Sequence, residues 1–111
     1  ITDGKKWEQK KNITDAGLQK YFDIIEYSEE KPKPNPKSYI NCLKKFNKNP
    51  ENSIFVGNDP DIDFVGARKL GITTVRIIQG LKKNLVAKKE FDADFNYNNL
   101  NEFYSELIIN R

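Results

Sequence analysis

The stretch SIFVGNDPDIDFVGARKLGITTVRII, residues 53–78, decides the fold. Residues 53–56 (SIFV) are a short apolar run bounded by turn-forming residues, which is the pattern of a strand buried on both faces. A helix is predicted over about residues 60–70, because Gly71 is typical of a helix end. Residues 73–78 (TTVRII) are rich in β-branched side chains and predict a second strand.

The rest of the chain continues this alternation. Residues 29–37 (EEKPKPNPK) form an extended loop, because their prolines exclude a helix and a central strand. The other predicted elements are helices over about residues 5–19, from Pro36 through Tyr39, Ile40, Leu43 and Phe46, and over about 81–89 and 99–108, with strands over 23–27 and near 93–95. Alternating helices and strands predict an α/β fold, Rossmann-like, with a mostly parallel sheet and flanking helices.

Composition and charge restrict the function. The chain has 111 residues and a net charge of +3, with both signs mixed along the sequence. Because it has neither a long basic run nor an apolar run of about 18 residues, we expect no nucleic-acid partner and no membrane partner. The absence of His excludes His-dependent triads and His-ligated zinc. The single cysteine, Cys42, cannot form an internal disulfide, so we expect a cytoplasmic protein.

Three polar stretches lie at predicted carboxyl ends of strands, where parallel sheets place their ligand sites. They are residues 2–4 (TDG), 31–36 (KPKPNP) and 57–63 (GNDPDID). Each has a simple explanation: an ordinary turn, a stiff solvated connector and a helix cap. Each also has a functional interpretation, namely a phosphate-binding turn, a rigidly held lysine over an anion, and a Mg²⁺ site.

The acidic turn shows how these explanations compete. Asp59 suits a helix N-cap, and Pro60 suits the first helical position. A calcium-binding EF-hand is excluded, because Phe64 replaces the required Gly and Leu70 replaces the bidentate Glu. A Mg²⁺ site fits, since Mg²⁺ takes one or two carboxylates together with substrate phosphate. The residues alone leave both the cap and the metal site open.

The order and spacing of the three stretches resemble the motifs of the haloacid dehalogenase-like superfamily of phosphohydrolases. ITDG (1–4) is similar to the family's second motif, and KPNPKSY (33–39) is similar to the third, often Lys-Pro-x-Pro-x-x-aromatic. VGNDPDIDFVGARKLGITTV (56–75) resembles the fourth motif, and GLQKYFDIIEYSEE (17–30) resembles the stretch between the second and third. The resemblance implies that residues 1–111 are the C-terminal part of a hydrolase core domain of this type.

For catalysis, the resemblance implies attack by an aspartate on a phosphoryl group, with Thr2 and Lys33 as catalytic residues. Thr2 and the backbone N–H of Asp3 would bind the phosphate, and Lys33 would stabilise the phosphoryl oxygens and the nucleophile. Lys31 is the less suitable lysine, because only Lys33 has the aromatic Tyr39 at the matching offset.

For the cofactor, the resemblance implies Mg²⁺ bound through Asn58, Asp59 and Asp63. Counting back from residues 66–67 (Gly-Ala) places Asp63 at the family's second acidic position and Asn58 at its first. Asn58 is the favoured ligand, and Asp59 is the alternative in a shorter register. Asp63 would orient waters or Lys33 from behind the ligand.

The family's first motif, an Asp-x-Asp that follows a hydrophobic strand and carries the nucleophile, does not occur ahead of the second motif in this sequence. Asp59-x-Asp61 is not a substitute, because it belongs to the fourth motif. The resemblance therefore implies part of a Mg²⁺-dependent phosphohydrolase for a small phosphorylated metabolite, completed by a missing N-terminal segment. Residues 1–111 alone are predicted to be inactive. The alternative is a non-catalytic module of the same fold, serving as a fusion partner or interaction domain; Asn58 and the missing motif favour it, and Thr2 and Lys33 count against it.

Overall fold

The computed structural model describes residues 1–28, 33 and 35–109, which form two compact units. The first unit is Ile1–Lys48 and the second is Asn49–Arg111. Within the described residues, no helix has both the length and the apolar character needed to cross a bilayer.

The first unit contains two α-helices, α1 (Lys6–Asp15) and α2 (Lys37–Phe46), and a short 3-10 helix at Gln19–Tyr21. The helix predicted over residues 5–19 thus ends early. Its end falls just before Gly17, whose φ of +68° is a left-handed conformation that stops an α-helix. The helix predicted from Pro36 is confirmed, with Pro36 as its N-cap.

The predicted strand over residues 23–27 is reduced to a single parallel bridge between Thr2 and Tyr27. The Thr2 N–H donates to the carbonyl of Glu26 at 2.9 Å, and the Ser28 N–H donates to the carbonyl of Thr2 at 3.1 Å. These two hydrogen bonds hold Thr2 beside Ser28.

The second unit holds a three-stranded sheet and two α-helices. In chain order these are β1 (Ile54–Gly57), α3 (Val65–Lys69), β2 (Thr73–Ile77), β3 (Phe95–Tyr97) and α4 (Leu100–Ile109), with a 3-10 helix at Pro50–Asn52 before them. The strand order is β1-β2-β3, and both pairings are parallel. The prediction of an α/β fold with a parallel sheet is confirmed.

The burial of β1 differs from the prediction. Ile54 and Val56 are 49% and 37% exposed, because β1 lies at an edge of the three-stranded sheet. The central strand β2 has the predicted burial instead, with Val75 and Ile77 at 2% and 5% exposure. Both β1 and β2 have the sequence pattern of a fully buried strand. In this unit only β2, the central strand, is covered on both faces.

Two further elements also differ. Residues 81–89 form turns and irregular structure instead of the predicted helix. The strand predicted near residues 93–95 begins at Phe95, because Asp94 bonds to both the backbone and the side chain of Thr74. Its Oδ2 accepts from the Thr74 backbone N–H at 2.8 Å, and its own N–H donates to the Thr74 hydroxyl at 3.0 Å. The last helix, α4, agrees with the prediction to within about one residue.

Candidate functional site

Thr2 lies in the parallel bridge to Tyr27, shortly before α1. Its hydroxyl donates a hydrogen bond at 3.1 Å to Oε1 of Gln9, a residue of α1. Gly4 follows with a φ of +99°, which allows the sharp turn between the bridge at Thr2 and the first helical residue, Lys6. The local sequence thus presents a hydroxyl at the start of a helix.

Lys33 and Ser28 both contact the carboxylate of Asp3. The Lys33 ammonium lies 3.7 Å from Asp3 Oδ2, and the Lys33 backbone N–H donates to Asp3 Oδ1 at 3.3 Å. The Ser28 hydroxyl also donates to Asp3 Oδ1. The structure therefore brings Thr2, Asp3 and Lys33 together in the first unit, whereas Lys31 lies outside the described residues.

Burial separates Lys33 from an ordinary loop lysine. Its side chain is 11% exposed, although it lies within a stretch of prolines and charges that predicts a solvated connector. Ser28, at 2% exposure, was not predicted as a site residue. The signal that could have found it is its position directly after residues 23–27 (DIIEY), where a polar group follows a strand-like segment.

In the second unit, Asp63 organises the acidic turn. Its side chain is buried, and its Oδ2 accepts from the backbone N–H groups of Asn58 at 3.0 Å and Asp59 at 2.9 Å. Asp59 Oδ1 accepts from the Asp61 N–H at 3.0 Å. Helix α3 begins only at Val65, so the helix predicted over residues 60–70 starts later than expected and Asp59 does not cap it. Asp59 instead caps the turn itself, because its Oδ1 accepts from the Asp61 N–H.

The segment after β2 contacts this turn from outside. Lys82 Nζ lies 2.7 Å from Asp61 Oδ2, and this hydrogen bond, together with the charges of Asp61 and Asp59, raises the pKa of Lys82. Asn58 Nδ2 donates to the Gln79 carbonyl at 3.4 Å. Neither Gln79 nor Lys82 was predicted, because the Lys-rich residues there suggest a solvated helix surface.

The candidate metal residues offer oxygen atoms rather than a preformed carboxylate cage. No group of three or more His, Cys, Asp or Glu side chains suited to a metal occurs among the described residues. Across that same part of the chain, Asn58 Oδ1 and Asp59 Oδ2 have no hydrogen-bond donor. Hard oxygen atoms of this kind suit Mg²⁺, which keeps several waters and needs few protein ligands.

The predicted site residues of both units lie in a part of the sequence that matches a known protein family. The family model described as haloacid dehalogenase-like hydrolase matches residues 1–77, a range that contains every candidate residue. The chain belongs to this family. Its sequence is 30% identical over 95 residues to a glyceraldehyde 3-phosphate phosphatase of Methanopyrus kandleri, covering 84% of the chain and 41% of that protein. It is 32% identical over 104 residues to the Methanocaldococcus jannaschii protein of the same name, covering 92% and 45%.

A solved structure supports the family assignment at the level of the fold. The chain matches a haloacid dehalogenase-like phosphatase from Thermococcus onnurineus with a TM-score of 0.77 and 26% identity, covering 94% of the chain and 46% of that protein. The chain thus spans less than half the length of these relatives from the haloacid dehalogenase-like hydrolase family.

Proposed function

We propose that this chain is the C-terminal part of a Mg²⁺-dependent phosphohydrolase that acts on a small phosphorylated metabolite. Both units would belong to one core domain, and an upstream segment of the same protein would supply the nucleophilic aspartate. Membership of the haloacid dehalogenase-like hydrolase family and the names of the curated relatives support this reaction class.

The observation that carries the proposal is the environment of Lys33. A lysine whose side chain is 11% exposed and whose ammonium lies 3.7 Å from a carboxylate has lost most of its contact with water and is held in one place. A solvated connector would gain nothing from this arrangement. A phosphate site would, because a fixed positive charge offsets the negative charge that repels an anionic nucleophile.

The residues of the first unit have distinct roles in this proposal. Lys33 would contact the phosphoryl oxygens. The Asp3 carboxylate would hold the lysine in place through the ammonium and the backbone N–H of Lys33. Thr2 would exchange its hydrogen bond to Gln9 for one to a phosphoryl oxygen. A hydroxyl can make this exchange by rotating about one bond, at little cost.

The residues of the second unit would hold the cation. Asn58 Oδ1 is the favoured ligand and Asp59 Oδ2 the alternative, because Asp59 already uses Oδ1 to cap the turn. Asp63 would keep the turn in shape, since its carboxylate holds the two backbone N–H groups there. When bound, Mg²⁺ would neutralise phosphate charge and help to orient the substrate.

The substrate class follows from the relatives. The names of the two curated relatives specify glyceraldehyde 3-phosphate, so we propose a small phosphorylated metabolite for this protein as well. We also propose a cytoplasmic location, which is supported by the single cysteine, since disulfides do not form readily in a reducing compartment.

The test uses the complete protein that contains this chain, an aryl phosphate and MgCl₂. We expect Mg²⁺-dependent turnover, and we expect Lys33→Ala to lower kcat by about 100-fold to 1,000-fold, as the loss of one transition-state contact does. Lys37→Ala removes an exposed lysine nearby and serves as the matched control. Failure of the complete protein to hydrolyse any phosphate ester, or full activity in Lys33→Ala, would contradict the proposal and favour the non-catalytic module.

A further inference from the structure

Arg76 is a buried arginine that holds the segment after β2. Its side chain is 5% exposed, and its Nη2 donates to the carbonyls of Lys82 at 3.0 Å and Leu85 at 2.9 Å. Over the described residues, no carboxylate forms an ion pair with Arg76, and its Nε has no hydrogen-bond partner. Because a buried guanidinium needs acceptors, these two carbonyls have a fixed position relative to β2.

The other side of the same segment contacts the acidic turn. Here we call residues 79–85 the post-β2 segment. Its Lys82 ammonium lies 2.7 Å from Asp61 Oδ2, and its Gln79 carbonyl accepts from Asn58 Nδ2 at 3.4 Å. A β-carbon placed on Gly80, whose φ is +78°, would stand 2.8 Å from Asn58 Nδ2. The segment thus lies directly against the amide nitrogen of Asn58.

This contact favours one orientation of the Asn58 amide. An N–H facing the Gln79 carbonyl is attractive, whereas an oxygen in that position would face another oxygen. The post-β2 segment therefore favours the amide orientation in which Nδ2 faces Gln79 and Oδ1 faces away from it. Asn58 Oδ1 is the atom that the proposed function assigns to the metal.

We propose that the post-β2 segment, held by Arg76 and by the ion pair of Lys82 with Asp61, positions Asn58 Oδ1 for Mg²⁺; this inference rests on the proposed function. Lys82, Gly80 and Arg76 are then positioning residues, since none of them contacts the metal or the substrate.

The test compares Lys82→Met with Lys83→Met in the complete protein. The two substitutions remove the same charge from adjacent residues, but only Lys82 has an ion pair in the described structure. Hydrogen exchange of the backbone amides of residues 79–85 is measured without metal, and Mg²⁺ affinity is measured by titrating MgCl₂ and following amide resonances. We expect Lys82→Met, but not Lys83→Met, to speed exchange and to weaken Mg²⁺ binding by about twofold to fivefold.

Asn58→Ala shows whether the segment acts through Asn58. In the Asn58→Ala protein, Lys82→Met and Lys83→Met should have the same Mg²⁺ affinity, because the group that the segment positions is gone. Asn58→Ala should also speed exchange in residues 79–85 without metal. Gly80→Ala, which crowds the amide directly, should weaken Mg²⁺ binding by about tenfold, the effect of losing an outer-shell contact.

The outcomes separate this inference from the proposed function. Unchanged exchange in Lys82→Met and Asn58→Ala, or equal Mg²⁺ affinity in Lys82→Met and Lys83→Met, would overturn the inference while Mg²⁺-dependent turnover stands. A wild-type protein that binds no Mg²⁺ would overturn the metal role itself and this inference with it. In that case the faster exchange would still show that the segment and Asn58 are in contact.

Discussion

The carboxylate of Asp63 lies directly over the α-carbon of Gly57. A β-carbon at Gly57 would stand 2.5 Å from Asp63 Oδ2 and 2.9 Å from Asp63 Cβ, closer than real side chains approach. The same Oδ2 accepts the N–H groups of Asn58 and Asp59. The end of β1 and the acidic turn therefore form one tightly packed structure, which requires glycine at position 57.

Gly57→Ala should destabilise the protein by about 1–3 kcal/mol, the usual cost of overpacking. The added methyl group has to displace the Asp63 carboxylate, and the two N–H groups that it holds lose their acceptor. Urea unfolding of the wild type and the variant measures the change in the free energy of unfolding.

The control is the same substitution in an Asp63→Ala protein. There the two closest atoms are gone, so Gly57→Ala should cost less than it does in the wild type. Equal costs in both proteins would show that the carboxylate does not determine the requirement for glycine.

Asp3→Asn should lower kcat in the complete protein by about 10-fold to 100-fold, because small displacements of a catalytic group have effects of this size. The amide keeps the shape of the side chain but loses the charge that holds the Lys33 ammonium. Steady-state kinetics should show a fall in kcat with a smaller change in KM. Asp23→Asn, an exposed aspartate of the same unit, should leave both constants unchanged. A normal kcat in Asp3→Asn would show that Asp3 does not position Lys33.

Much of the fold could be predicted because the relevant signals are local. The parallel strands β1 and β2 follow from two short β-rich runs joined by a turn and a helix, and Gly71 ends α3 with a φ of +87°. Pro36 and the helical spacing after it predict α2. The order of the motifs predicts that Thr2 and Lys33 lie close together, because each motif was expected at the carboxyl end of a strand.

The rest depends on contacts between residues far apart in sequence. The burial of β1 depends on which strand becomes central, and a single strand does not encode this. Residues 81–89 were predicted as a helix but form turns and irregular structure, and the carbonyls of Lys82 and Leu85 accept from Arg76, a contact that no helical pattern indicates. Gln79 and Lys82 reach the acidic turn from 21 positions away, and no local pattern indicates such a contact.

Cys42 should react slowly with iodoacetamide. Burial raises the pKa of its thiol, with the nearby charge of Glu26 acting in the same direction, and the thiolate is the reactive form. At about pH 8 the folded protein should therefore be alkylated more slowly than the same protein in denaturant. Mass spectrometry of quenched samples follows the reaction. Equal rates in the two conditions would show that α2 does not protect this thiol.

Glu26 should make stability depend on pH. Burial alone would raise the pKa of Glu26, but hydrogen bonds from Asn41 and Lys45 outweigh it and lower the pKa below the ordinary value of 4.5. A lowered pKa in the folded state stabilises the protein above 4.5, and this contribution is lost as the pH falls through the folded value. Glu26→Gln should therefore cost about 1 kcal/mol or less near neutral pH and progressively less in acid, as measured by urea unfolding. Glu8→Gln, at an exposed position in α1, is the control. A cost that does not change with pH would show that the charge of Glu26 contributes no stability.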